Sequence, residues 1–173
     1  MSSKAGNFLR WFLIGLVVIA IAVFSFVWKP AIDPLPAVPD GFTDEQLERS
    51  KNVAAAGVCV VCHTAPDGQP NAGGLPMETP FGTIYSTNIT TDLDKGIGNW
   101  SFEAFDRAMR RGIARDGSYL YPAFPYTHFT HLTDEDMKAL YAHMMTQPAV
   151  NVEPPKTELP FPVNMRPLMA GWN

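Results

Sequence analysis

Five consecutive residues, Cys59-Val60-Val61-Cys62-His63, constrain this chain more than any other feature. A porphyrin carries two vinyl groups that can each take up a thiol. The C-x-x-C spacing lets one short turn present both sulfurs to one porphyrin edge, while the next residue, His63, ligates the iron. The pentapeptide therefore reads as a c-type haem attachment site. Two other chemistries use cysteine pairs. A thiol redox pair of thioredoxin type asks for a βαβ setting, which the flanking residues do not supply. Structural zinc asks for about four ligands, and Cys59 and Cys62 are the only cysteines in the chain.

The 173 residues leave room for one domain of ordinary size plus an anchor or tail. Thirteen Lys and Arg stand against seventeen Asp and Glu, a net charge of −4, and no basic run is long enough to follow a phosphate backbone. Nucleic acid is thus not an expected partner. Sixteen prolines, all after residue 29, and most of the thirteen glycines point to a domain with much ordered loop. A cofactor filling the middle of the core suits such a chain.

From Trp11 to Trp28 run eighteen residues without a charge. As a helix they span about 27 Å at roughly 1.5 Å per residue, close to the thickness of a bilayer's hydrocarbon layer. A secretory signal peptide is the competing reading. It would have a shorter apolar stretch and a small-x-small cleavage site, whereas residues 24–30 read Phe-Ser-Phe-Val-Trp-Lys-Pro. An uncleaved anchor is expected over 11–28. Lys4, Arg10 and the terminal amine precede it and Lys29 follows, so the positive-inside rule leaves residues 1–10 in the cytoplasm and sends residues 30–173 across the membrane. Covalent haem attachment takes place on that outer side of the bacterial inner membrane, in agreement with the haem reading. Trp11 and Trp28 sit where interfacial aromatics belong. Residues 29–41, with four prolines, read as an extended spacer holding the domain off the bilayer.

The domain itself is expected over 42–150. Thr43 and Gln46 make a capping box, Asp44 and Glu45 put negative charge in the first turn, and the helix runs to Gly57, delivering the chain to the cysteines. Residues 64–99 are rich in turn chemistry and read as a long folded loop, with Phe81, Ile84, Tyr85 and Ile89 packing around the haem edge. Asn88-Ile89-Thr90 matches a glycosylation acceptor by chance. A second helix starts at Ser101, carries Phe102, Phe105, Ala108 and Met109 on one face and Arg107, Arg110 and Arg111 towards its end, and stops at Gly112. A third opens at Thr133 and shows Met137, Leu140, Tyr141 and Met144 at helical spacing before Pro148. Residues 151–173 hold five prolines and read as a surface strap without regular structure. The expected fold is all-α: about three helices around one covalent haem, with a transmembrane helix in front.

Taken together, several segments resemble one family. They are Cys59 to His63 followed by Thr64-Ala65-Pro66, Ala72 to Pro76, Thr79 to Thr90, Gly96 to Trp100, Tyr121 to Tyr126, and the closing Leu159 to Pro162, Arg166 to Leu168 and Ala170 to Asn173. They resemble the cytochrome c subunits of membrane-bound bacterial dehydrogenases, those serving periplasmic alcohol, aldehyde and nicotinate-type molybdenum dehydrogenases. The resemblance implies a class I cytochrome c domain. It would take electrons from a dehydrogenase catalytic subunit, of molybdenum or iron–sulfur type among others, and pass them to quinone or a terminal oxidase. The residues assigned to the haem are Cys59, Cys62, His63, Phe81, Tyr85, Asn88 and Phe124.

Two departures stand out. Subunits of the family usually carry three such domains, and this chain holds one. They also place a methionine, the sixth iron ligand, within a Tyr-Pro-Ala-Met-Pro-Tyr segment, and here that position is Phe124, which cannot ligate. His128, in the same loop, is the expected replacement, with His131 next. Met109, Met77 and Met137 are fallback sulfur ligands. A bis-histidine iron would have a lower potential than a His–Met one.

The leading function is a one-electron carrier, since the chain shows no hydrolytic triad, P-loop or dinucleotide fingerprint. Were nothing to replace the methionine, an open apolar distal face would bind a small gas or react with peroxide. A third reading makes the domain chiefly an anchor for a catalytic partner, its haem a relay inside a larger complex.

Overall fold

The first helix leaves most of its apolar surface without a burial partner, and only its last turn packs on the rest of the chain. In the computed structural model, which describes residues 2–172 and side chains from residue 6 onward, α1 runs Ser2–Val27. Its apolar stretch Gly6–Val27 is exposed apart from half-buried Gly15 and Val27, and is long enough to cross a membrane. Met1, Asn173 and the side chain of Lys4 lie outside the described residues.

Three amphipathic helices build the domain. α2 (Asp44–Gly57) opens on a complete capping box, in which Thr43 accepts from the Gln46 amide and the Gln46 side chain accepts from the Thr43 amide at 2.9 Å. A single turn, α3 (Cys59–Cys62), follows it. α4 (Phe102–Arg111) is capped by Ser101 and closed by Gly112, and α5 (Asp134–Met145) is capped by Thr133. α2 packs chiefly on α5. The core between them holds Ile97, Phe105, Met109, Met137, Leu140, Tyr141, Met144 and Met145. The Tyr141 ring meets Phe42, Phe102 and Phe105 at centroid distances of 6.0, 5.5 and 5.4 Å, and its hydroxyl donates to Trp100 O at 2.7 Å. Burial pushes its pKa up to about 12.

The fold is mostly helical, as expected, and adds one small sheet inside the long loop. β1 (Pro76–Thr79) pairs antiparallel with β2 (Gly82–Tyr85), Pro76 opposite Tyr85 and Thr79 opposite Gly82. The C-terminal segment extends this hairpin: Thr83 and Glu158 exchange both backbone hydrogen bonds, at 3.1 and 2.8 Å. Gly82, at φ +123°, is required here, because a Cβ would strike the Glu158 carbonyl oxygen. Residues 151–173 thus are not a structureless strap. They bridge to β2 and form a 3₁₀ helix at Arg166–Gly171, where Arg166 donates to Tyr119 O at 2.8 Å and lies 4.0 Å over the Tyr121 ring.

The proline-rich stretch after α1 also differs from the expected free spacer. Its backbone lies on the domain: Ile32 N donates to Arg115 O and Leu35 N to Asn99 O, both at 2.8 Å. Arg107 donates to Pro30 O at 2.7 Å and Arg115 to Ile32 O at 3.1 Å. Prolines leave carbonyls without a partner amide of their own, and two arginines from the domain satisfy them.

Candidate functional site

α2 is capped by Val58, a β-branched residue held at φ 51°, ψ 28° in the left-handed region. Such a conformation costs roughly 1–3 kcal/mol and persists only where its surroundings impose it. It breaks the helix axis so that Cys59–Cys62 form a separate turn, closed by His63 N donating to Cys59 O at 2.9 Å. Positions three apart on a helical turn share a face. Both cysteines are free thiols. Cys59 is half-buried against the core, where burial pushes its thiol pKa up, and Cys62 is exposed. The neighbouring Val58, Val60 and Val61 are exposed apolar side chains.

His63 is the oriented member of the set. Its Nδ1 lies 2.6 Å from the Thr87 carbonyl oxygen. A carbonyl only accepts, so Nδ1 carries the proton and Nε2 is left with the lone pair that a metal takes. Burial lowers the His63 pKa, against the smaller opposing effect of the Thr87 bond.

Thr87 was not among the expected site residues, because a backbone carbonyl has no side-chain signature. The readable signal was Gly73. Its φ is +78°, and a Cβ there would lie 2.5 Å from Thr87 C and 2.7 Å from both Asn88 N and Ser86 O. Gly73 N also donates to His63 O at 2.7 Å. A glycine without side chain thus seats residues 86–88 directly against the histidine's own strand of chain. Asn88 pins the same loop. Its amide nitrogen donates to Val150 O at 2.8 Å and Val152 O at 3.0 Å, and its Oδ1 accepts from Thr90 N at 2.9 Å and Thr90 Oγ1 at 2.7 Å. Asn88 is buried with its amide engaged at both ends, which also leaves no nitrogen for a glycan.

Phe124 stacks on Phe129 at 5.6 Å, and both pack on the main core together with Cys59. A Cβ on Gly57 would lie 3.4 Å from Cys59 Sγ and 3.7 Å from the Phe129 ring, which places that ring beside the first thiol. Phe129 was missed in the sequence. His128 ends a 3₁₀ helix, Tyr126–His128, and is exposed, as is His131. Met109 and Met137 are buried in the core, and Met77 is half-buried on β1. Phe81 is exposed at the hairpin tip, and Tyr85 is half-buried on β2, where its amide donates to Thr157 Oγ1 at 3.3 Å. Cys59 and Cys62 share one turn that His63 closes, and Phe124 packs on the same core as Cys59. Phe81 is exposed beside the hairpin turn, and Asn88 holds the loop that carries Thr87.

This donor set fits a haem. Two free thiols share one turn, the following imidazole has its Nδ1 occupied and its Nε2 left, and exposed valines flank the thiols with apolar surface. Among the described residues, no three His, Cys, Asp or Glu side chains converge as a metal cluster of their own. Fold and site therefore define a mostly helical domain whose paired thiols and oriented imidazole suit a haem.

A family model described as "Cytochrome c" matches residues 47–148. The chain belongs to the cytochrome c family, whose cofactor is haem c. It is 58% identical over 147 residues to a nicotinate dehydrogenase subunit of Pseudomonas putida, covering 84% of this chain and 12% of that protein. It is 48% identical over 134 residues to the gluconate 2-dehydrogenase cytochrome c subunit of Pantoea cypripedii, covering 77% and 30%. Against a diheme cytochrome c-type protein of Cereibacter sphaeroides the figures are 35% over 166 residues, 91% and 55%. The chain thus spans between about an eighth and just over half of the length of these curated relatives.

Proposed function

We propose that this chain is a membrane-anchored electron-transfer module with one haem c, receiving single electrons from a dehydrogenase catalytic subunit and passing them to quinone or a terminal oxidase. The observation that carries the reading is the 2.6 Å contact between His63 Nδ1 and the Thr87 carbonyl, directly after two free thiols on one turn. Cys59 and Cys62 would hold the haem through thioether bonds, and His63 would bind its iron. Haem bound there supplies a one-electron couple. Thr87 fixes the imidazole tautomer and raises its basicity, Gly73 and Asn88 hold Thr87 in place, and the apolar Phe124–Phe129 pair keeps water from the interior. Relatives named as dehydrogenase cytochrome c subunits support the upstream partner.

His128 would be the second side chain to bind the iron. It lies in the loop that carries Phe124, and its side chain is exposed. α1 is the anchor, residues 1–10 lie in the cytoplasm, and residues 42–150 form the haem domain on the periplasmic side of the inner membrane. An electronic spectrum recorded through a redox titration tests the whole reading. It predicts a low-spin haem with a single reversible one-electron wave, and no near-infrared Met–haem band.

A second reading rests on Phe124. Its ring fills the position of the family's methionine and stacks on Phe129, while His128 and His131 face solvent. If no side chain ligates, the protein is an open-site haem protein for a small gas or peroxide. Rapid stoichiometric carbon monoxide binding by the reduced protein at neutral pH favours this reading, and no binding favours the carrier.

A further inference from the structure

The end of α1 is part of the domain's packing. Val27, its last residue, packs on a small second core of Ile113, Tyr119 and Ala170, with Met169 beside it. The Tyr119 hydroxyl donates to Phe26 O at 3.2 Å, at the end of the same helix. The cluster therefore fixes the level of the domain relative to the point where the helix ends. It also fixes the 3₁₀ helix Arg166–Gly171, the element of the domain in contact with α1.

That 3₁₀ helix has two faces. Ala170 and Met169 pack in the cluster with Val27, whereas Leu168 within the helix and its two cap residues, Met165 and Trp172, are exposed, Leu168 by 50% and Trp172 by 69%. Trp28, the residue after α1, is exposed by 57%. Around these lie the cations of this end of the molecule. Lys29 turns back to donate to Phe26 O at 2.8 Å, and the Arg166 guanidinium is spread over the Tyr121 ring. Apolar and tryptophan side chains with amphipathic cations beside the end of a long apolar helix are the composition of a membrane–water interface.

Resting on the reading of α1 as a membrane span, we propose that Met165, Leu168 and Trp172 form a second membrane contact, seated in the lipid interface beside the point where α1 leaves the bilayer. The occupant is lipid because the patch is continuous with the span: the 3₁₀ helix that presents Leu168 packs against the end of α1 through Val27. The haem domain is consequently held against the bilayer at a fixed orientation, and the stretch after α1, clamped by Arg107 and Arg115, has no slack to lift it away.

The test uses the full chain with its haem in lipid nanodiscs, with a spin label on one introduced cysteine, both native thiols being taken up by the cofactor. Three labelled variants are compared: Leu168→Cys in the patch, Val18→Cys within α1 and Glu48→Cys on α2, each checked for an unchanged haem spectrum. Accessibility to oxygen is measured against a water-soluble nickel chelate. The proposal predicts an oxygen-to-nickel ratio at position 168 several-fold above that at 48 and below that at 18. A lipid-exposed label at 18 with a water-exposed label at 168 overturns the second contact and leaves the anchor standing. A label at 168 shielded from both reagents means that protein covers the patch, which also overturns the proposal. Water exposure at 18 removes the anchor and the proposal together.

Discussion

Substituting Gly73 by alanine reaches the candidate haem site without touching a ligand. The new Cβ would stand 2.5–2.7 Å from three backbone atoms of residues 86–88. Ordinary contact is about 3.4 Å or more, so the loop must retreat by roughly 0.7–0.9 Å or the alanine must leave its φ of +78°. Either movement draws the Thr87 carbonyl from 2.6 Å out towards or past the limit of a hydrogen bond to His63. An alanine in the left-handed region costs about 1 kcal/mol, and loss of a good hydrogen bond with the attendant strain adds about 1–3 kcal/mol. In a chain of this size each kcal/mol lowers the melting temperature by about 2–4 °C, giving an expected loss of about 5–15 °C. A histidine without its carbonyl partner is a poorer donor to ferric iron, so the midpoint potential rises, by about 20–60 mV for 0.5–1.5 kcal/mol in a one-electron couple. Thermal unfolding followed in the Soret band and a spectroelectrochemical titration read both numbers. An alanine variant with native melting temperature and native potential would refute the placement of Thr87 against Gly73 and His63.

Asn88→Ala removes four hydrogen bonds from a buried amide and is expected to cost about 2–4 kcal/mol in denaturant unfolding. Asn88→Asp is expected to cost more, since it sets a carboxylate against the Val150 and Val152 carbonyls; an Asp variant more stable than the Ala variant would sink this assignment. Tyr141→Phe loses the bond to Trp100 O and about 1 kcal/mol at neutral pH. The native tyrosine titrates near 12 in the fold and near 10 unfolded, so its neutral form binds its proton more tightly in the folded state, and its contribution is complete below pH 10 and lost as pH rises towards 12. Melting curves of both proteins should therefore converge over that alkaline range, and a gap that stays constant or widens contradicts the burial of this hydroxyl. Arg107→Ala takes one donor from each of the Pro30, Ala114 and Arg115 carbonyls, and amide exchange in residues 29–35 and 113–116 should quicken while α2 and α5 keep their protection.

Helices α2, α4 and α5 could be read in the sequence because their signals are local. Thr43 with Gln46, Ser101, Thr133 and the apolar spacing of Phe102–Phe105–Met109 lie within a few residues of what they control. The cysteine pair and His63 were legible for the same reason. The hairpin was not: Pro76-Met77-Glu78-Thr79 shows no alternation of apolar residues, and its third partner, Glu158, lies far along the chain. Prolines after α1 read as a spacer because the groups that hold them, Arg107 and Arg115, are some eighty residues away. Arg107 itself looked like charge compensating a helix end. The imidazole's partner escaped notice because it is a main-chain oxygen, marked in the sequence only by a glycine that looked like one more turn residue.

The covalent grip on the cofactor at Cys59 and Cys62 is tested most directly by the intact mass of the chain matured with functional haem-attachment machinery, measured in denaturant after thiol alkylation. A polypeptide heavier by one haem and carrying no alkyl group is the expected result. A chain of unmodified mass with both thiols alkylated would contradict it.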